Sequence, residues 1–185
     1  MGLARGAVNL MLEEASKRPF SGTVATMGRQ TVYLTGGQLW CLFERFGLEA
    51  PPSFKGTFRS LDDNSLLTAL GFDRVESFDY SDYEGATHII DLNNDELPAE
   101  YHNRYEAVLD SGTIEHIFHV PNALKHIHNM LKVGGRLLFL TPSSNHLDHG
   151  FYMFSPTFFH DYFNTNGYRI ETIYVVRYRP SHTEL

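Results

Sequence analysis

Three short apolar runs in the middle of this chain each stop on an aspartate: RVESFD at Asp79, THIID at Asp91 and YEAVLD at Asp110. Short runs rich in branched and aromatic residues read as strands. An acid at the tip adds nothing to strand packing, so a solvated end, a helix cap or a ligand contact must account for it. A helical pattern follows at Pro121–Lys132. Pro121 suits a first turn, Leu124, Ile127 and Leu131 line one face, and Gly134 and Gly135 are expected to stop it. The next run, RLLFL at Arg136–Leu140, is almost continuously apolar, as expected of a strand covered on both faces. Strands alternating with helices predict a layered α/β fold with a mostly parallel sheet. Ligands of such sheets bind outside the carboxyl ends of the strands. The three aspartates therefore mark the edge where a ligand is expected.

The flanking segments fit the same architecture. Leu3, Ala7, Val8, Met11, Leu12 and Ala15 fall at helical spacing, which predicts an amphipathic helix within the first twenty residues. It is expected to cover one side of the sheet; contact with a second copy of the chain, in a homo-oligomer, is the alternative. GTVATM at Gly22–Met27 reads as a strand ending at Gly28. Thr35 and Gln38 have capping-box spacing, Leu39, Leu42, Phe43 and Phe46 form the stripe of the helix behind them, and Gly47 can end it. Residues 50–59 read as a loop. Ser60 or Asp62 then caps a helix carrying Leu66, Leu67 and Leu70, closed by Gly71. Ser155 and Pro156 open a last helix with Phe158, Phe159, Tyr162 and Phe163, ended by Asn166–Gly167, and Tyr168–Tyr178 alternates as a final strand would.

Composition narrows the function classes. A chain of 185 residues is expected to form one domain over 1–185. With 42% hydrophobic and 20% charged residues it is not a disordered chain. Its one cysteine, Cys41, leaves no disulfide framework or cysteine-based zinc cluster and suits a reducing compartment such as a cytoplasm. A net charge of −7 argues against a nucleic-acid partner. No apolar run approaches the roughly 18 residues of a membrane span, and Glu13 and Glu14 interrupt what would otherwise resemble a leader. A soluble, untargeted protein acting on a small molecule is the expectation.

Three stretches, VESFDYSDYEGATHIIDLNNDELP, YEAVLDSGTIEHIFHVPNALKHIHNMLKVGGRLLFLTP and HGFYMFSPTFFHDYFNTNGYRI, carry a resemblance. Between Val75 and Ile170 the chain resembles the class I S-adenosylmethionine-dependent methyltransferases, in particular their small bacterial members. The most specific stretch runs from Tyr105 to Pro142. The resemblance implies a Rossmann-like, mostly parallel sheet flanked by helices, and S-adenosyl-L-methionine as cofactor. By position it implies that Asp79 holds the ribose hydroxyls, that Asp91 accepts from the adenine amine with Leu92 packing on the ring, and that Asp110, Ser111 and Gly112 border the methionine part. It implies methyl transfer to a small-molecule or sugar-like acceptor. A non-catalytic methyltransferase-like module, serving in binding or assembly, is the alternative.

The departures from that pattern are specific. Where the family carries an acid followed by spaced glycines, this chain reads Thr26-Met27-Gly28-Arg29-Gln30, with one glycine and no leading acid. Gly28 remains a cofactor-binding candidate, and Arg29 is either a fork for the cofactor carboxylate or a surface residue. Only eleven residues separate Asp79 from Asp91, too few for a crossover helix, so an extended crossing through Ser81–Gly85 is expected. Only RPSHTEL follows Tyr178, so the pattern's last antiparallel strand is expected to be missing.

Methyl transfer needs an oriented acceptor and, for a hydroxyl or amine, a group to take its proton. Glu115 and His116 after one predicted strand, and His149 and Tyr152 after the next, are the expected catalytic, acceptor-side residues. The ten histidines raise the question of a metal. His146, Asp148 and His149 are close in sequence, and His116 with His119 or His126 with His128 could add to them. No HExxH occurs and no second cluster has a recognised spacing, so no metal site is expected.

Overall fold

The structure, a computed structural model, describes residues 2–144, 146 and 148–176. Its main sheet has five strands: β1 (Thr23–Met27), β4 (Arg74–Asp79), β5 (His88–Ile89), β6 (Tyr105–Ser111) and β7 (Leu131–Leu140). All pair in parallel, in the order β5-β4-β1-β6-β7. A separate antiparallel pair joins β2 (Thr31–Thr35) to β3 (Ser60–Asp62). Successive strand residues point to opposite faces, and two cores result. Val24, Ala107 and Leu109 share one with helices α1 (Arg5–Lys17), α2 (Gly36–Arg45) and α3 (Asp63–Ala69). Ala25, Met27 and Val108 share the other with α4 (Val120–Met130), and Phe158 and Phe159 of α5 (Pro156–Thr165) pack against it. The chain is an α/β, Rossmann-like sheet flanked by helices.

The amphipathic N-terminal segment covers the sheet as expected: Ala7, Val8, Met11, Leu12 and Ala15 are buried in the first core. The fully buried Val8, Met11 and Leu12 side chains each contribute about 1.5–3 kcal/mol. Arg136 on β7 fastens the helix's far end. Its guanidinium donates to the carbonyls of Arg18 (2.8 Å) and Pro19 (2.9 Å) and lies 3.7 Å above the Phe20 ring. The caps are those written in the sequence. Thr35 and Gln38 form the capping box, Asp62 accepts from the Ser65 amide at 2.6 Å, and Ser155 from the Phe158 amide at 3.1 Å.

Five elements differ from expectation. The strands β2 and β3 are additional; β2 alternates buried Val32 and Leu34 with exposed Thr31 and Tyr33. The strand expected at Thr87–Asp91 pairs only at His88–Ile89. At its start, Thr87 and Ser77 exchange side-chain bonds (Thr87 N to Ser77 Oγ 3.0 Å, Ser77 N to Thr87 Oγ1 3.1 Å) in place of the backbone ladder. No helix intervenes; a turn closed by Gly85 N on Asp82 O (2.8 Å) brings the chain across. Helix α4 stops at Met130, before the glycines, because Leu131 already pairs with Tyr105; residues up to Arg136, which pairs with Ala107, bulge out through Gly134 at φ 79°. The final strand expected at Tyr168–Tyr178 does not form over 168–176, and Tyr178 lies outside the described residues. Alternation supplies a face but no ladder partner. Instead Ile173, Tyr174, Val175 and Val176 are exposed, and the Tyr174 hydroxyl donates to the Glu13 carboxylate.

Candidate functional site

Parallel register sets the tips of β4, β1 and β6 side by side, since Met27 pairs with Phe78 on one side and Asp110 on the other. Gly28 follows at φ 73°, its amide donating to the Phe78 carbonyl at 2.7 Å. A Cβ at Gly28 would stand 3.2 Å from Thr113 Oγ1 and 3.6 Å from Asp79 Oδ2, so these three residues share one corner. Two donors hold the turn: the Thr113 hydroxyl (2.7 Å) and the Gln30 side-chain amide (2.9 Å) both reach the Met27 carbonyl.

The three strand-end aspartates have different occupations. Asp79 is half-buried; its Oδ1 accepts from Ser81 N at 3.2 Å and its Oδ2 points to the Gly28 corner. Asp91 closes a local turn by accepting from the Asn93 amide (2.9 Å) and side chain (2.8 Å), with Leu92 buried behind it. Asp110 is fully buried. It accepts from the amides of Gly112 (3.1 Å), Thr113 (3.0 Å) and Ile114 (3.0 Å). Burial pushes its carboxyl up to about 7, against those three amides and with help from the nearby Glu115 charge. Ser111 is buried too, and Gly112 sits at φ 99°. Asp110, Ser111 and Gly112 thus shape the turn after β6. A carboxylate with three amides on it has little lone-pair capacity left for a ligand.

Arg29 is partly exposed and paired within the fold. Its guanidinium forms a fork on Asp63, at 2.9 Å through Nε and 2.7 Å through Nη2. Asp63 is buried and also accepts from Gln30 N at 2.8 Å. A buried carboxylate requires such a partner, so the fork is spent inside the protein. A groove of about 310 Å³ runs beside this pair, lined by Arg29, Gln30, Asp62, Asp63 and Glu84 and by none of the strand-end aspartates.

Glu115, His116, His149 and Tyr152 come together. Glu115 and His116 lie on a single 3-10 turn, Ile114–His116. The main-chain carbonyl of Glu115 accepts from the amides of Phe151 (2.8 Å) and Tyr152 (3.2 Å), and the Tyr152 hydroxyl donates to the Phe118 carbonyl (2.8 Å). Gly150 permits this approach, since a Cβ there would stand 2.8 Å from the Glu115 oxygen. His149 Nε2 lies 3.4 Å and His116 Nε2 4.0 Å from Glu115 Oε1, with the two rings 5.0 Å apart. The Glu115 side chain is wholly buried, yet neither carboxylate oxygen accepts a hydrogen bond among the described residues, and His149 Nε2 likewise has no hydrogen-bond partner there. Burial raises the Glu115 carboxyl, only partly offset by its own backbone amide. Burial, and then the neighbouring His149, lower His116. Phe118 and Phe151 meet edge to face at 5.8 Å as exposed rings close by.

Of the other histidines weighed for a metal, His146 has its ring edge to face with that of His149 at 5.2 Å, while His126 and His128 are engaged elsewhere. His126 is buried against the Asn94 carbonyl (2.7 Å), and His128 meets the Tyr168 hydroxyl (2.7 Å). Thr113, Gln30, Asp63 and Gly150 are the site residues that the sequence reading missed. For Gly150 there was a signal, a glycine directly after His149; Gln30 reaches back three residues to the Met27 carbonyl, and Thr113 and Asp63 reveal themselves through partners distant in sequence.

Against known proteins, the family described as a methyltransferase domain matches residues 62–173, more than half of the chain. No curated protein and no solved structure gives a significant match.

Proposed function

This chain belongs to the methyltransferase-domain family, and from that premise we propose that it transfers a methyl group from S-adenosyl-L-methionine to a small-molecule or sugar-like acceptor. The observation that carries this reading is the corner shared by Gly28, Asp79 and Thr113 at the carboxyl edge of the sheet. It offers a carboxylate at a strand tip beside a glycine and a threonine hydroxyl. Such a carboxylate can accept both hydroxyl protons of a vicinal diol. The cofactor supplies, when bound, an electrophilic methyl on a sulfonium. On this reading Asp79 holds the ribose and Asp91 with Leu92 takes the adenine. Glu115, His116, His149 and Tyr152 orient the acceptor, and Glu115 or His149 takes its proton. An exposed, free Cys41 suits a cytoplasm, and no described helix is long and apolar enough to cross a membrane.

Calorimetry with S-adenosylhomocysteine tests the reading. Saturable binding is expected, weakened about ten- to a hundredfold by Asp79→Ala and little by Asp82→Ala, whose residue lies in the connecting loop. The second reading, a non-catalytic module, is favoured by one observation: the Arg29 fork that could reach a cofactor carboxylate is occupied by Asp63. Absence of any heat at millimolar ligand with folded protein would decide for that module.

A further inference from the structure

We propose that Glu115, His116 and His149 form a binding site for one divalent transition-metal ion of the zinc, cobalt or iron(II) class. One ligand atom from each of the three lies within 4.8 Å of the others. Metal–ligand bonds of about 2.0–2.1 Å place neighbouring ligands of a tetrahedral ion about 3.4 Å apart. The His149 Nε2–Glu115 Oε1 separation is 3.4 Å, and the His116 contact, at 4.0 Å, closes with a small rotation of a half-exposed ring.

The second observation is independent of that spacing. A buried carboxylate is normally met by donors, because an unsatisfied one carries its full desolvation cost. Glu115 is wholly buried and, among the described residues, neither of its oxygens nor His149 Nε2, 3.4 Å away, has a hydrogen-bond partner. The backbone around them is tightly held: the Glu115 carbonyl takes two amides from residues 151 and 152, and Gly150 permits the contact. These side chains are therefore positioned before any ion arrives, and an ion would supply the missing positive charge to the carboxylate and accept the imidazole lone pairs.

The donor set selects the class of ion. Two imidazoles and one carboxylate suit borderline transition ions, whereas calcium and magnesium want mostly oxygen. Three protein ligands leave positions open, and the side chains of His116 and His149 are 45% and 28% exposed, so solvent or an acceptor can reach the ion. With the ion bound, Glu115 and His149 are ligands, so in the methyl-transfer reading, on which this one consequence rests, the proton of an acceptor hydroxyl would pass to solvent instead of to either residue.

The test uses the untagged full chain, stripped with a chelator and titrated calorimetrically with zinc chloride in the absence of S-adenosylmethionine. One zinc per chain is expected, at micromolar or tighter affinity. Glu115→Gln, His116→Ala and His149→Ala should each weaken it at least about tenfold, while His160→Ala, on exposed α5, leaves it unchanged. Zinc should also raise the melting temperature of the wild type and not that of Glu115→Gln. His116 is nearly half exposed, so its variant keeps the fold and decides the matter if the other two do not fold. No saturable zinc binding, or wild-type affinity in folded His116→Ala, would overturn the proposal. Because the titration contains no cofactor, failure to bind S-adenosylhomocysteine leaves this result unaffected.

Discussion

Glu76 and Glu115 are buried to the same depth, 1% and 0% exposed, and stand in opposite surroundings. Glu76 on β4 receives the Tyr105 hydroxyl at 2.7 Å, His88 Nε2 at 2.9 Å, Arg104 Nη2 at 2.8 Å and Arg74 Nε at 2.9 Å. The Tyr101 hydroxyl stands 3.2 Å from His88 Nδ1, which leaves Nε2 to donate to the carboxylate. Burial pushes the Glu76 carboxyl up, but the Tyr105 and His88 bonds and the two guanidinium charges outweigh it and hold the group below the usual range. Among the described residues Glu115 has no such donors, and burial raises it. Depth of burial is therefore not what distinguishes these two carboxylates. Glu76 is answered entirely by the fold and ties β4, β5 and β6 together; among the described residues no hydrogen-bond donor answers Glu115.

Substitution of each glutamate should separate the two most widely. Glu76→Ala removes the partner of a buried network and orphans the Tyr105 hydroxyl, which should cost about 3–5 kcal/mol in urea unfolding. A loss under about 1 kcal/mol would mean that the network is as dispensable as a surface ion pair. Glu115→Gln, in chelator, should move the other way. It removes an unsatisfied buried charge and should stabilise the metal-free protein by about 1–3 kcal/mol. Destabilisation of similar size would place Glu115 among the structural carboxylates with Glu76.

A gentler break titrates Glu76 in place. Its folded pKa is depressed, so its contribution is fully present above the unfolded value of about 4.3 and is lost as pH falls through the folded value. Urea midpoints measured from about pH 6 down to about pH 3 should therefore fall more steeply for the wild type than for Glu76→Gln. Parallel curves would mean that the donors do not hold the carboxylate. The smallest effect is expected at the rim of the Glu115 site. Tyr152→Phe removes a single bond to the Phe118 carbonyl and should cost about 0.5–1.5 kcal/mol by thermal melting. A much larger loss would show that this bond, rather than the Glu115 carbonyl, holds the two segments together.

Sequence alone was sufficient for whatever depends on near neighbours. The strands ending at Asp79 and Asp110, the α1 stripe, the Thr35–Gln38 box and the Asp62 and Ser155 caps were legible because periodicity and capping act over a few residues. The same local signals overran where a distant partner decided the outcome. Pairing of Leu131 with Tyr105 ended α4 early, side-chain bonds between Ser77 and Thr87 shortened β5, and the alternating stretch after Tyr168 found no strand beside it. Candidate chemistry divides the same way. The sequence nominated Asp79, Asp110, Glu115, His116 and His149 as residue types at strand ends. Only tertiary structure decided that Asp110 is consumed by three amides, that Arg29 answers Asp63, and that Glu115 meets His149 with its oxygens bare. A side chain's type is local information. Its charge state and free lone pairs depend on which donors reach it, and across 34 residues of chain, as between Glu115 and His149, folding alone decides which donors those are.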